Sequence, residues 1–142
     1  MSDSVEILRK DINSGENEPD KLFAEEAPFE ANNVILYEIN GPLFFGAAQQ
    51  FQEALINTNT KPEFVIIRLR YVPFIDTTGF HRFREIIKTF QRRGTTVVLS
   101  GVSESLKKDF ELNDLQALIP ENRIFSDINK AFTWINEQRT TT

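Results

Sequence analysis

The sequence predicts an α/β fold: a mixed sheet with parallel strand pairs, covered by about four helices. Three observations predict it. Short runs rich in β-branched residues alternate along the chain with segments whose apolar residues recur at steps of three and four. Gly, Ser, Asp and Asn stand where those segments should start or stop. The 142 residues are 40% hydrophobic and include 13 Phe, which is enough to fill the core of one domain without disulfides or metal.

Residues 1–33 read as an acidic linker or arm. They hold nine acids against three bases, a net of -6. Residues 8–33 show little periodic apolarity around Asn13-Ser-Gly-Glu-Asn-Glu-Pro-Asp20, a composition that does not bury itself. The domain proper is expected over 34–138, with a tail over 139–142.

Within the domain, residues 34–39 read as a strand. Gly41-Pro-Leu-Phe-Phe-Gly46 follows, and then a helix from about Ala47 on which Ala48, Phe51 and Leu55 form one stripe. Phe64-Val-Ile-Ile-Arg-Leu69 is the next strand. A helix over 78–92 carries Phe80, Phe83, Ile87 and Phe90 on one face, and Gly94 supplies its stop. Residues 96–100 form a buried strand. Ser103 caps a short helix carrying Leu106 and Phe110, with Asn113 near its end. Residues 123–125 make a short strand. Ser126 or Asp127 caps a last helix whose Ile128, Ala131, Phe132 and Ile135 share a face.

Composition excludes several functions. The chain has no Cys, which removes disulfides, thiolate zinc sites and cysteine nucleophiles and fits a reducing compartment. No run approaches the ~18 apolar residues that span a bilayer, and the charged start lacks the apolar core of a signal peptide. The polypeptide reads as soluble. The net charge is -5, and this acidity, with no reading motif, argues against nucleic acid as a partner. The single histidine, His81, has no serine or carboxylate placed by spacing to make it a catalytic base, so no enzyme is expected. Gly41 and Gly46 complete neither a phosphate loop nor a dinucleotide fingerprint. No cofactor and no metal are expected.

The candidate site is Asp76-Thr77-Thr78-Gly79, where a strand pattern meets a helix start. Asp76 or Thr77 can cap the helix by accepting an N–H bond, and Gly79 eases close approach. A helix N-terminus favours anions, and a phosphoryl group added at Thr77 or Thr78 would meet its open N–H groups. Residues 68–93 carry seven bases (Arg68, Arg70, Arg82, Arg84, Lys88, Arg92, Arg93) against Asp76 and Glu85, a local balance of +5. An anion, a phosphate or a nucleotide can be drawn to Asp76, Thr77, Thr78, Gly79 and Arg82; the plainer alternative is a solvated helix face. Leu43, Phe44 and Phe45, turned by Gly41-Pro42, are core side chains or an exposed contact for a neighbouring layer.

The element order and the Asp76-Thr-Thr-Gly79 turn resemble the STAS domain, shared by anti-sigma-factor antagonists and the cytoplasmic part of SulP (sulfate permease) anion transporters. The stretch Tyr37-Glu-Ile-Asn-Gly-Pro-Leu-Phe-Phe-Gly-Ala-Ala-Gln-Gln-Phe51 is similar to the transporter branch's strand–Gly-Pro-Leu-Phe-Phe-Gly–helix signature. The resemblance spans roughly residues 34–138. It implies a regulatory and interaction domain of a SulP-type anion transporter, excised from a longer protein and lying at the cytoplasmic face of the cell's inner membrane. Its partners would be the transporter's own membrane domain, reached through Pro42, Leu43, Phe44 and Phe45, a regulatory protein or kinase, a nucleotide, and a second copy in a homodimer. The alternative is a free-standing anti-sigma-factor antagonist. In that branch the residue aligned with Thr77 is the phosphorylated serine of Asp-Ser-Ser-Gly, which makes Thr77 and Thr78 candidate phosphoacceptors. A nucleotide sensor is the third reading.

Overall fold

Alternation at a period of two decides how the strands distribute their side chains. The computed structural model describes residues 6–11, 34–40 and 62–140. Four strands form one sheet: β1 (Glu6–Asp11), β2 (Val34–Asn40), β3 (Phe64–Tyr71) and β4 (Thr96–Ser100), in that spatial order. β1 is antiparallel to β2, whereas β2 with β3 and β3 with β4 are parallel. Parallel neighbours need a crossover, and helix α1 (Thr77–Arg92) supplies the one between β3 and β4. Helices α2 (Glu104–Leu112) and α3 (Ile128–Thr140) follow, separated by 3-10 turns at Leu115–Ala117 and Glu121–Arg123.

Ile35, Tyr37 and Ile39 of β2, Val65, Ile67 and Leu69 of β3, and Val97 and Leu99 of β4 join one core with α1 and α2. Val34, Leu36, Phe64, Ile66 and Val98 join a second core with α3. Burial on both faces explains why β3 and β4 are near-continuous apolar runs in sequence. Helix α1 presents Phe80, Phe83, Ile86, Ile87 and Phe90 inward. The Phe80 and Phe110 rings meet edge to face at 5.8 Å, joining α1 to α2. On the other side Trp134 of α3 sits edge-on to Phe64, with centroids 6.2 Å apart.

Helix ends follow from individual residues. Ser103 Oγ accepts the Leu106 N–H at 3.1 Å to start α2. Asp127, rather than Ser126, starts α3, its Oδ1 accepting the Lys130 N–H at 3.0 Å. At the end of α1 the Thr95 N–H reaches Phe90 O and the Gly94 N–H reaches Gln91 O, each at 3.0 Å. This paired closure needs a left-handed residue, and Gly94 adopts φ +85°. Its reading as a helix stop holds.

Three expectations change. The sheet begins inside the segment read as an irregular arm, because residues 6–11 form β1, paired along its length with Ile35 to Asn40 of β2. Glu6-Ile-Leu-Arg-Lys-Asp11 does not alternate, so an edge strand held by backbone pairing left no side-chain signal. The short strand expected over 123–125 shrinks to one parallel bridge between Ile124 and Leu99. Arg123 belongs to a 3-10 turn, and the segment is held by the Phe125 N–H to Leu99 O at 2.9 Å and the Val102 N–H to Phe125 O at 3.1 Å. Helix α3 runs through Thr140, two residues into the expected tail. The helix expected from Ala47 lies outside the described residues, which contain three α-helices.

Candidate functional site

The site is built where β3 ends. After Tyr71 the Val72 N–H turns back to Leu69 O at 3.0 Å. Val72 and Ile75 are buried, while Pro73 and Phe74 face outward. Asp76 then holds extended backbone (φ -80°, ψ 173°), and its Oδ1 accepts the Gly79 N–H at 2.6 Å. Its carbonyl takes the Phe80 N–H at 2.8 Å. Asp76 is therefore the cap, which settles the choice left open with Thr77. Thr77 and Thr78 occupy the first two helical positions with exposed side chains. Their N–H groups belong to the helix's first turn, where no intrahelical acceptor exists. Hydroxyls and open donors thus share a surface edge, with one carboxylate already committed to Gly79.

Arg82 lies five residues past Thr77, about 1.4 turns into the helix, and is half-buried. It stands four residues past Thr78, a spacing that makes the two neighbours on the helix surface. Part of the local +5 is taken up within the fold. Glu38 of β2 lies in register with Arg68, and its Oε1 accepts from Arg70 Nε at 3.0 Å and lies 3.7 Å from Arg68 Nη1. Glu38 and Arg68 are both buried. Arg84 donates through Nη2 to the Asn113 carbonyl. A carboxylate thirty residues upstream was invisible to a charge count over 68–93, although the parallel pairing of the two strands would have aligned it.

Two aromatic residues complete the surface. Tyr71 is 54% and Phe74 42% exposed, and the Arg70 guanidinium lies 4.5 Å above the Tyr71 ring. Both precede the Asp76-Thr-Thr-Gly79 turn in sequence, yet nothing in residue type separates an exposed ring from a buried one. Surface recesses of about 250 and 340 Å³ lie elsewhere, between the starts of α2 and α3 and along α3, and neither is lined by a residue of the turn. Pro42, Leu43, Phe44 and Phe45 lie outside the described residues. His81 is exposed, and no group of three or more metal-binding side chains occurs among the described residues. No helix among them is long and apolar enough to cross a membrane.

This architecture and turn define a STAS-type module. The sequence profile of the STAS domain matches residues 29–131, and the chain belongs to that family, in the branch of the SulP sulfate transporters. It is 32% identical over 110 residues to high affinity sulfate transporter 1 of Stylosanthes hamata, covering 69% of this chain and 16% of that protein. A sulfate transporter family protein from Wolinella succinogenes is 36% identical, with 77% of this chain and 89% of that one covered and a TM-score of 0.72. The SulP transporter STAS domain from Vibrio cholerae, at 23% identity, shares the fold with a TM-score of 0.76 over 87% of this chain and all of that one. A putative anti-sigma factor antagonist from Thermotoga maritima, at 18% identity, shares it with a TM-score of 0.63 over 74% of this chain and 89% of that one. The profile match leaves out β1 and most of α3, both of which the structure places in or against the sheet.

Proposed function

We propose that this domain regulates a SulP-type anion transporter by contact with its membrane domain, and that it catalyses nothing itself. The observation that supports the reading is the similarity of most of this chain to a small part of a sulfate transporter. The domain would then sit at the cytoplasmic face of the inner membrane. The Asp76 turn, with exposed Thr77, Thr78 and Phe74, serves as a recognition surface, and Pro42, Leu43, Phe44 and Phe45 as a contact with the membrane domain. Sulfate uptake by the transporter containing this domain, with and without residues 34–138, tests the proposal. Uptake should fall several-fold while the membrane part still inserts. Unchanged uptake and unchanged response to effectors would defeat it.

A second reading rests on the exposed Thr77 hydroxyl at the first position of α1. Phosphorylation there by a partner kinase would place a charge of about -1.5 to -2 beside open N–H groups and beside the Asp76 carboxylate. Thr77→Glu should then shift partner affinity with the fold intact, and Thr77→Val should abolish labelling. Mass spectrometry finding no phosphate on Thr77 or Thr78 in protein from its native cell would remove this reading. Nucleotide sensing would use Arg82 and the same turn, and equilibrium titration with a nucleotide isolates it.

A further inference from the structure

The outer side of α1 carries a pattern that runs well beyond the turn. Thr77, His81, Glu85, Lys88 and Arg92 follow one another at steps of four, four, three and four, forming one stripe. It lies opposite the buried Phe83, Ile86 and Phe90 and is about 23 Å long at ~1.5 Å per residue. Thr77, His81, Lys88, Arg92 and the adjoining Arg93 are exposed. The acid on the stripe, Glu85, is 3.9 Å from Lys88 and so is largely offset. The chain enters its N-terminal end from an aromatic tip, the exposed Tyr71 and Phe74, with Arg70 over the Tyr71 ring. Amphipathic rings settle at the headgroup level of a bilayer, and long basic side chains keep their charge in the headgroups.

We infer that this surface docks on an anionic lipid bilayer, the aromatic tip entering the interface while Lys88, Arg92 and Arg93 meet the headgroups. Charge complementarity selects the occupant: the exposed bases of the stripe outnumber its one acid, and acidic lipids attract such clusters. The chain as a whole carries -5, so it is repelled on average and any attraction to anionic lipid must arise locally. The inference stands on this chain's own surface, and its failure would leave the regulatory reading untouched.

Vesicle flotation of the full chain tests it, with phosphatidylcholine vesicles compared with vesicles containing about one-third phosphatidylglycerol. Binding should favour the anionic vesicles by about tenfold at low salt and vanish near 1 M salt, where the screening length falls to ~3 Å. Lys88→Glu with Arg92→Glu should remove that preference, and Tyr71→Ala with Phe74→Ala should weaken binding several-fold. The charge-reversed pair is exposed, so loss of the Glu85–Lys88 pair and of the last-turn base should lower its thermal midpoint only slightly, and a far-UV circular dichroism spectrum matching the parent's shows that loss of binding is not misfolding. Binding to neither vesicle overturns the inference, as does binding that survives either pair of substitutions. Capture of a SulP membrane domain in neutral detergent through these same residues, without vesicle binding, would assign the face to protein and overturn it equally.

Discussion

Asp76 and Gly101 show how single residues hold the backbone in two different ways. Asp76→Ala removes the acceptor of the Gly79 N–H and should lower stability by about 1 kcal/mol in urea unfolding. Thr77→Val should change it by less than ~0.5 kcal/mol, because an exposed first-turn residue that caps nothing has little to lose. Gly101 differs in kind. It holds φ +70°, and a Cβ there would stand 2.6 Å from the backbone nitrogen of Arg70. Gly101→Ala combines left-handed strain with overpacking and should destabilise by ~2–4 kcal/mol. Gly94 at φ +85° has open space around its position, so Gly94→Ala should lose only the strain, ~1–2 kcal/mol. Equal losses at the two glycines would show that the approach to Arg70 is not rigid. The cap was legible because Asp-Thr-Thr-Gly states it within four residues. The Glu38 ion pairs were not, since their partners are 30 and 32 positions apart in the chain.

Elements were legible in proportion to how much side-chain pattern they need. Helix α1 must bury one face, so Phe80, Phe83, Ile87 and Phe90 announced it, and the structure adds Gly79 and Ile86. Phe83 is fully buried, and Phe83→Ala should destabilise by ~3–5 kcal/mol. A loss below ~1 kcal/mol in denaturant unfolding would mean that the helix turns a different face to the sheet. Strands β3 and β4, buried on both faces, were equally clear. β1 needs only one neighbour's backbone, and the bridge at Ile124 needs only Leu99, so neither had to write itself into residue type. The aromatic tip between β3 and α1 belongs with these: its role depends on exposure, which no periodicity encodes.

Across the whole molecule, the sheet separates two cores that share the same strands. Residues of β3 alternate between them, Val65 and Ile67 on one side and Phe64 and Ile66 on the other. Neither core can open without exposing the other's strand edges, so unfolding should be a single cooperative transition. Phe132→Ala, in the α3 core, and Phe83→Ala, in the α1 core, should therefore lower the same midpoint when followed by Trp134 fluorescence and by far-UV circular dichroism. Separate transitions for the two probes would show that α3 detaches independently.

The alignment of Glu38, Arg68 and Ser100 across β2, β3 and β4 bears on how the chain avoids folding wrongly. Sliding a strand by one residue would turn its side chains to the opposite face, an error that alternation punishes only weakly here because both faces are apolar. Sliding it by two keeps every side chain on its own face, and along Val34, Leu36, Phe64, Ile66 and Val98 one aliphatic or aromatic contact would simply replace another. The charged row makes that exchange costly: a two-residue shift of β3 toward the start of β2 would bring Arg70 opposite Glu38 and seat the buried Arg68 opposite Leu36, a guanidinium among apolar side chains without its in-register carboxylate. An ion pair whose net contribution to stability is modest thus acts as an index mark, discriminating among arrangements that the hydrophobic pattern alone would leave nearly degenerate.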